Sequence, residues 1–95
     1  AFSAPMINIH PSLLPKYKGL HAIEQAFNSD DDVTGCTVHY VNEELDGGEI
    51  ILQSEVPILP TDDLKSLTKA IQRREYHILP RAIEHVKHKI QVKIN

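Results

Sequence analysis

The chain has 95 residues, which admits one domain and excludes a multidomain enzyme. Hydrophobic residues make up 41% and charged residues 24%, so the sequence is too apolar for a disordered chain. Ten Lys and Arg against thirteen Asp and Glu give a net charge of -3, without the basic excess of a phosphate-backbone binder, and no apolar run approaches the ~20 residues of a membrane helix.

In chain order, Met6 to Ile9 reads as a buried strand that stops at Pro11. Pro5, Pro11 and Pro15 exclude a long helix in this region, and Lys16-Tyr17-Lys18-Gly19 continues as loop. Leu20, Ile23, Ala26 and Phe27 recur at helical spacing, predicting a short helix that ends in the acidic turn Asn28 to Asp32. Cys36 to Val41 is rich in β-branched and aromatic residues and predicts a strand after Gly35. Asn42 to Gly48 is a loop whose paired glycines permit positive φ, and Glu49 to Val56 is a second strand, with Ile50 and Leu52 on one face and Ile51 and Gln53 on the other. The simplest pairing of these two strands is antiparallel.

A long helix opens after Pro60, with Thr61 as its N-cap and Asp62 and Asp63 at the positive end of its dipole. Its apolar stripe comprises Leu64, Leu67, Ile71, Ile78, Ala82 and Val86. Glu75 interrupts that stripe, where an unpartnered carboxylate is costly, so it calls for a donor or a ligand. Pro80 predicts a kink or a break near His77, and the alternation in Gln91 to Ile94 suggests a short terminal strand.

Charge is unevenly distributed. Glu24 to Asp63 holds eleven acidic residues and no Lys or Arg, whereas Leu64 to Asn95 holds eight basic and two acidic residues. The ordinary meaning is a pair of complementary solvated faces. The single cysteine, Cys36, excludes an internal disulfide, fits a reducing compartment, and points to an unexported, cytoplasmic protein. The six histidines lack a strong metal spacing, so no metal is expected.

Asn8 and His10 are two apart on a strand and face one spot, a donor-rich corner of the kind that acyl transfer uses to hold a developing oxyanion. The same pair could equally end a strand and satisfy loop carbonyls. Asp46, in the glycine-rich loop, is the candidate third group that would orient the imidazole, although Asp-Gly-Gly is also ordinary turn chemistry.

The run from Asn8 to His21, NIHPSLLPKYKGLH, resembles the active-site segment of the glycinamide ribonucleotide transformylases, folate-dependent formyltransferases of purine synthesis. Gly35 to Val41, followed by Leu45-Asp46-Gly47-Gly48 and Ile50-Ile51-Leu52-Gln53, is similar to the second signature of that family. The resemblance runs from about Met6 to the end of the long helix.

It implies an α/β fold corresponding to the C-terminal half of the formyltransferase fold: a mixed sheet with an antiparallel strand pair and one long kinked helix. It also implies a formyl transfer from 10-formyltetrahydrofolate to the amine of glycinamide ribonucleotide, small-molecule substrates, and no nucleic acid, membrane or metal. Carried over residue by residue, Asn8 holds the formyl oxygen, His10 donates the proton and Asp46 keeps that histidine supplied with one. Asn42, Glu43, Glu44 and Leu45 line the formyl-folate pocket. Pro11 and Gln72, Arg73, Arg74 and Glu75 lie toward the ribonucleotide, with Glu75 accepting from ribose hydroxyls. Family members are roughly twice as long, so residues 1 to 95 are expected to form one domain, the catalytic part, without the nucleotide-binding half and its glycine-rich phosphate loop. Alternatives within reach of the resemblance are formyltetrahydrofolate deformylase, methionyl-tRNA formyltransferase, and a catalytically incomplete half-domain that needs a complementary N-terminal partner or self-associates through its open sheet edge.

Overall fold

The computed structural model describes residues 6–43, 45 and 47–94, with side chains described up to Lys87. The elements are β1 (Ile7–His10), α1 (Ala22–Phe27), β2 (Val33–Tyr40), β3 (Ile50–Pro57) and α2 (Leu64–Ile94). The strands form one sheet in the order β1-β2-β3, and both pairings are antiparallel. The expected antiparallel pair is β2 with β3. A parallel component of a mixed sheet has no counterpart among the described residues.

β2 lies between two partners and is covered on both faces, so Thr34 to His39 are all buried. It begins at Val33 rather than after Gly35. Gly35 belongs inside the strand because a Cβ there would collide with the Ser54 carbonyl of β3 and press on Leu13. A similar close approach explains Gly48, where a Cβ would run into the Tyr40 carbonyl. That crowding, and not the positive φ expected from the sequence, is what requires glycine.

The register of β2 on β3 slips between Val38 and His39, so Ile51 is the extra residue of a bulge. Strict alternation therefore fails: Ile51 and Leu52 both pack against the core instead of dividing between faces.

One face of the sheet carries the core. Cys36, Val38 and Val56 meet Leu67, Ile71, Ile78 and Ala82 of α2, which are members of the stripe expected from helical spacing, whereas Leu64 at its start is exposed. α1 contributes buried Ala22 and Ala26, and it starts at Ala22 because His21 sits in a left-handed conformation with φ 60°.

The N-cap of α2 is Asp63, not Thr61. Asp63 Oδ1 accepts from the Ser66 backbone N–H at 2.7 Å, and Ser66 Oγ accepts from the Asp63 N–H at 3.0 Å, a reciprocal capping pair. The expected break near Pro80 is also absent, since α2 runs through it. Pro80 and Tyr76 both lie on the solvent side, so water can take the Tyr76 carbonyl that the missing proline N–H leaves without its helical donor. The terminal strand expected at Gln91 to Ile94 is helix instead. A four-residue alternation is outweighed by extension of an existing helix, which needs no new nucleus.

Candidate active site

The polar face of the sheet is covered by the loop that follows β1. Thr37 organises this cover with all the hydrogen-bonding capacity of its hydroxyl. Oγ1 donates to the Ser12 carbonyl at 2.7 Å and accepts from the Leu14 N–H at 3.1 Å and from Gln53 Nε2 at 3.0 Å. Gln53 Nε2 also donates to the Leu14 carbonyl at 2.9 Å. Further along, Ser12 Oγ donates to the Lys16 carbonyl at 2.6 Å, while Lys16 Nζ and Tyr17 Oη both bind the Asp31 carboxylate, at 3.1 and 2.6 Å. The Tyr17 hydroxyl, and secondarily the Lys16 ammonium, hold the Asp31 carboxyl below its ordinary range. Tyr17 and Gly19 take positive φ values of 55° and 82°, which turn the loop back along the sheet.

This cover seats His10. The residue is 6% exposed, and its Nε2 lies 2.8 Å from the Tyr17 carbonyl. A carbonyl only accepts, so Nε2 carries the proton in this contact. Asn8, two residues earlier, is exposed, and its side chain makes no hydrogen bond among the described residues. A polar amide in reach of solvent thus stands beside an imidazole whose ring is fixed by the loop. Across the strand pair, Asn8 is opposite His39 and His10 is opposite Thr37. His39 is buried and donates from Nδ1 to the Tyr40 carbonyl at 2.9 Å.

The loop after β2 comes to the same place. A Cβ at Gly19 would lie 3.5 Å from Leu45 Cδ2, so the loop after β1 and the loop after β2 are side by side. Asn42, Glu43 and Leu45 are exposed. Glu44 and Asp46 lie outside the described residues.

α2 divides the helix residues singled out by the sequence. Glu75 is half-buried, and burial pushes its carboxyl above the ordinary range, while the charge of His10 works in the opposite direction. Glu75 is therefore within electrostatic reach of His10. Successive helix residues turn by about 100°, so Gln72 shares the flank of Glu75 and Arg74 leaves it. Arg73 and Arg74 line a different groove with His77 and Ala70, against Val56 and Pro57 of β3. Pro11 lines a third depression, between α1 and the start of α2, with His21, Leu64 and Thr68.

Sequence reasoning did not reach Thr37, Gln53, His39 or Asp31. Period two would have put Thr37 and His39 on one face, but pairing Thr37 with Gln53 and His39 with Asn8 needs the strand register, which no local pattern specifies. Among the described residues no three His, Cys, Asp or Glu side chains converge as a metal site, and no helix is long and apolar enough to cross a membrane.

The formyl transferase family model matches residues 1–83, and the chain belongs to this family. Within it, the chain is 47% identical over 83 residues to the phosphoribosylglycinamide formyltransferase of Haemophilus influenzae, covering 87% of this chain and 39% of that protein. It is 54% identical over 78 residues to the trifunctional purine biosynthetic protein adenosine-3 of Drosophila melanogaster, covering 82% of this chain and 6% of that protein. The crystal structure of phosphoribosylglycinamide formyltransferase from Bacillus halodurans superposes with a TM-score of 0.80 at 47% identity, over 94% of this chain and 44% of that one. The chain therefore spans less than half the length of each of these relatives.

Proposed function

We propose that this chain carries the formyl-transfer centre of a glycinamide ribonucleotide transformylase, moving a formyl group from 10-formyltetrahydrofolate to the primary amine of glycinamide ribonucleotide. The observation that carries the reading is the exposed Asn8 amide two residues from an imidazole fixed on the Tyr17 carbonyl, beside the loop that holds Leu45. The names of the Haemophilus and Drosophila relatives support the same reaction.

The residues present fit a folate donor: an amide without a partner among the described residues, a buried imidazole and an exposed loop converge at one end of a polar sheet face. When bound, the folate supplies the formyl carbon that the ribonucleotide amine attacks. Asn8 donates from its amide to the formyl oxygen as negative charge grows there. His10 takes the proton that the attacking amine gives up and passes it to the folate nitrogen as that nitrogen's bond to the formyl carbon breaks and tetrahydrofolate leaves, and the Tyr17 carbonyl presets its ring so that little ordering remains at the reacting moment. Asp46 is assigned the orientation of His10 and the exchange of its proton. Asn42, Glu43, Glu44 and Leu45 are assigned to the folate, largely through backbone. Pro11, Gln72 and Glu75 are assigned to the ribonucleotide, Glu75 as an acceptor for hydroxyl groups. Arg73 and Arg74 are left out of this centre because they line the groove on the other flank of α2.

The test is a transfer assay with 10-formyltetrahydrofolate and glycinamide ribonucleotide, read as release of tetrahydrofolate. His10→Ala and Asp46→Asn are each expected to lower turnover by about 100-fold or more, the usual contribution of a positioned proton-transfer group. Turnover near that of the unaltered chain in either variant would overturn the assigned role, and hydrolysis of the donor without transfer to the ribonucleotide would overturn the reaction.

A further inference from the structure

We propose that the groove between the end of β3 and the first half of α2 is a second binding site, built for a small phosphate monoester. Its volume is about 380 Å³, with Val56, Pro57 and Ala70 as apolar walls and Arg73, Arg74 and His77 as the polar ones. Among the described residues no carboxylate lines it. Among the described residues, neither guanidinium takes part in a hydrogen bond or an ion pair. Two exposed positive charges, adjacent in sequence and sharing one concavity, repel each other, and an anion between them offsets that repulsion.

The donor set selects the anion. Arg is charged at every accessible pH and presents fork-shaped donors that match phosphate oxygens two at a time. Two guanidinium groups balance a dianionic phosphate monoester, whereas a single carboxylate would leave one of them uncompensated. The apolar walls offer a place for the carbon part of the ester. A nucleic acid would need a longer basic track, and the chain as a whole carries a net charge of -3. The groove is separate from the His10 centre: none of Asn8, His10 or Glu75 lines it. The inference therefore goes beyond the proposed reaction and stands whether or not that reaction is correct.

The experiment follows the Arg Nε–Hε signals of the isotopically labelled chain by NMR during titration at constant ionic strength. The probes are inorganic phosphate, glycerol phosphate and acetate, with a short single-stranded oligonucleotide as a further arm. Saturating shifts are expected at Arg73 and Arg74 with both phosphates, at least about tenfold tighter than with acetate. Glycerol phosphate is expected to bind no more weakly than inorganic phosphate and to move the Val56 and Ala70 methyl signals. Arg73→Gln combined with Arg74→Gln should weaken phosphate about tenfold or more with the rest of the spectrum unchanged. Arg74→Lys, which keeps the charge and loses the fork, serves as the milder variant and should weaken it as well. Unsaturating shifts shared equally by Arg81, equal affinity for acetate, undiminished binding in the variants, or tighter binding of the oligonucleotide spread over α2 would each overturn the site.

Discussion

Glu75 on α2 lies within electrostatic reach of His10 at the end of β1, and the two influences on its carboxyl oppose each other: burial raises its pKa above 4.5 and the charge of His10 lowers it, with burial the larger. The native state therefore binds the Glu75 proton more tightly than the unfolded chain does. Full stability is present below the unfolded value and is lost as pH rises through 4.5 and on through the folded value. Glu75→Gln removes this penalty, so thermal melts should show the variant more stable than the unaltered chain at pH 7, with the two curves converging at about pH 4. If Glu75 also accepts from ribose hydroxyls, the same substitution should raise the ribonucleotide KM about tenfold and leave kcat much less changed.

Thr37 is the residue on which the cover of the site depends. Thr37→Val keeps the shape but leaves the Ser12 carbonyl and the Leu14 N–H without their buried partner. Unsatisfied buried groups cost about 1–3 kcal/mol each, so denaturant melts should show a loss of about 2–4 kcal/mol. Thr37→Ser retains the hydroxyl and should recover most of it. Because the Leu14 segment leads to the Tyr17 carbonyl on His10, the Val variant should also lower kcat more than a melt-matched core variant such as Val56→Ala.

Much of this arrangement can be read in the sequence. The stripe of α2 was legible because apolar residues spaced three, four and seven apart have one economical explanation, and Asn8 with His10 was legible because period two places them together. The chain's N-cap was not. Thr61, Asp62 and Asp63 all have suitable side chains, and only the Ser66 contact selects Asp63. The covered polar face was illegible for a different reason. Thr37 and Gln53 meet through strand register, and the Ile51 bulge shifts that register where no Gly or Pro announces it. Gln72 to Glu75 read as one contiguous ribonucleotide segment, but helical geometry sends Glu75 and Arg74 to different flanks of α2.

Cys36 is fully buried, and burial pushes its thiol up to about 11, with the Glu75 charge adding to the effect. At pH 8 only about one thiol in a thousand is then ionised, and that fraction is out of reach of reagent. A disulfide reagent such as Ellman's should therefore react at the rate at which the core opens. The reaction should stay slow in buffer and become immediate in denaturant. Rapid labelling of the native chain would mean that the contact of β2 with α2 opens locally. Thr37→Val should accelerate labelling only in proportion to its loss of stability.

Asp31 tethers the far end of the loop through Tyr17 Oη and Lys16 Nζ. Its pKa is lowered, by the Tyr17 hydroxyl first and Lys16 second, so the tether holds above the unfolded value of 3.8 and is released as pH falls through the lower folded value. Asp31 is exposed to solvent screening, so Asp31→Asn should leave the global melting temperature nearly unchanged at neutral pH. Its effect should be local: Lys16 to Gly19 lose an anchor, and the Tyr17 carbonyl becomes a less constant partner for His10 Nε2. Amide exchange at Lys16 to Gly19 should quicken, and the His10 Nε2–H signal should broaden, while the amides of β2 keep their protection. Tyr17→Phe should reproduce the larger part of the change. An unaltered His10 signal in both variants would show that the ring is held without the Asp31 tether.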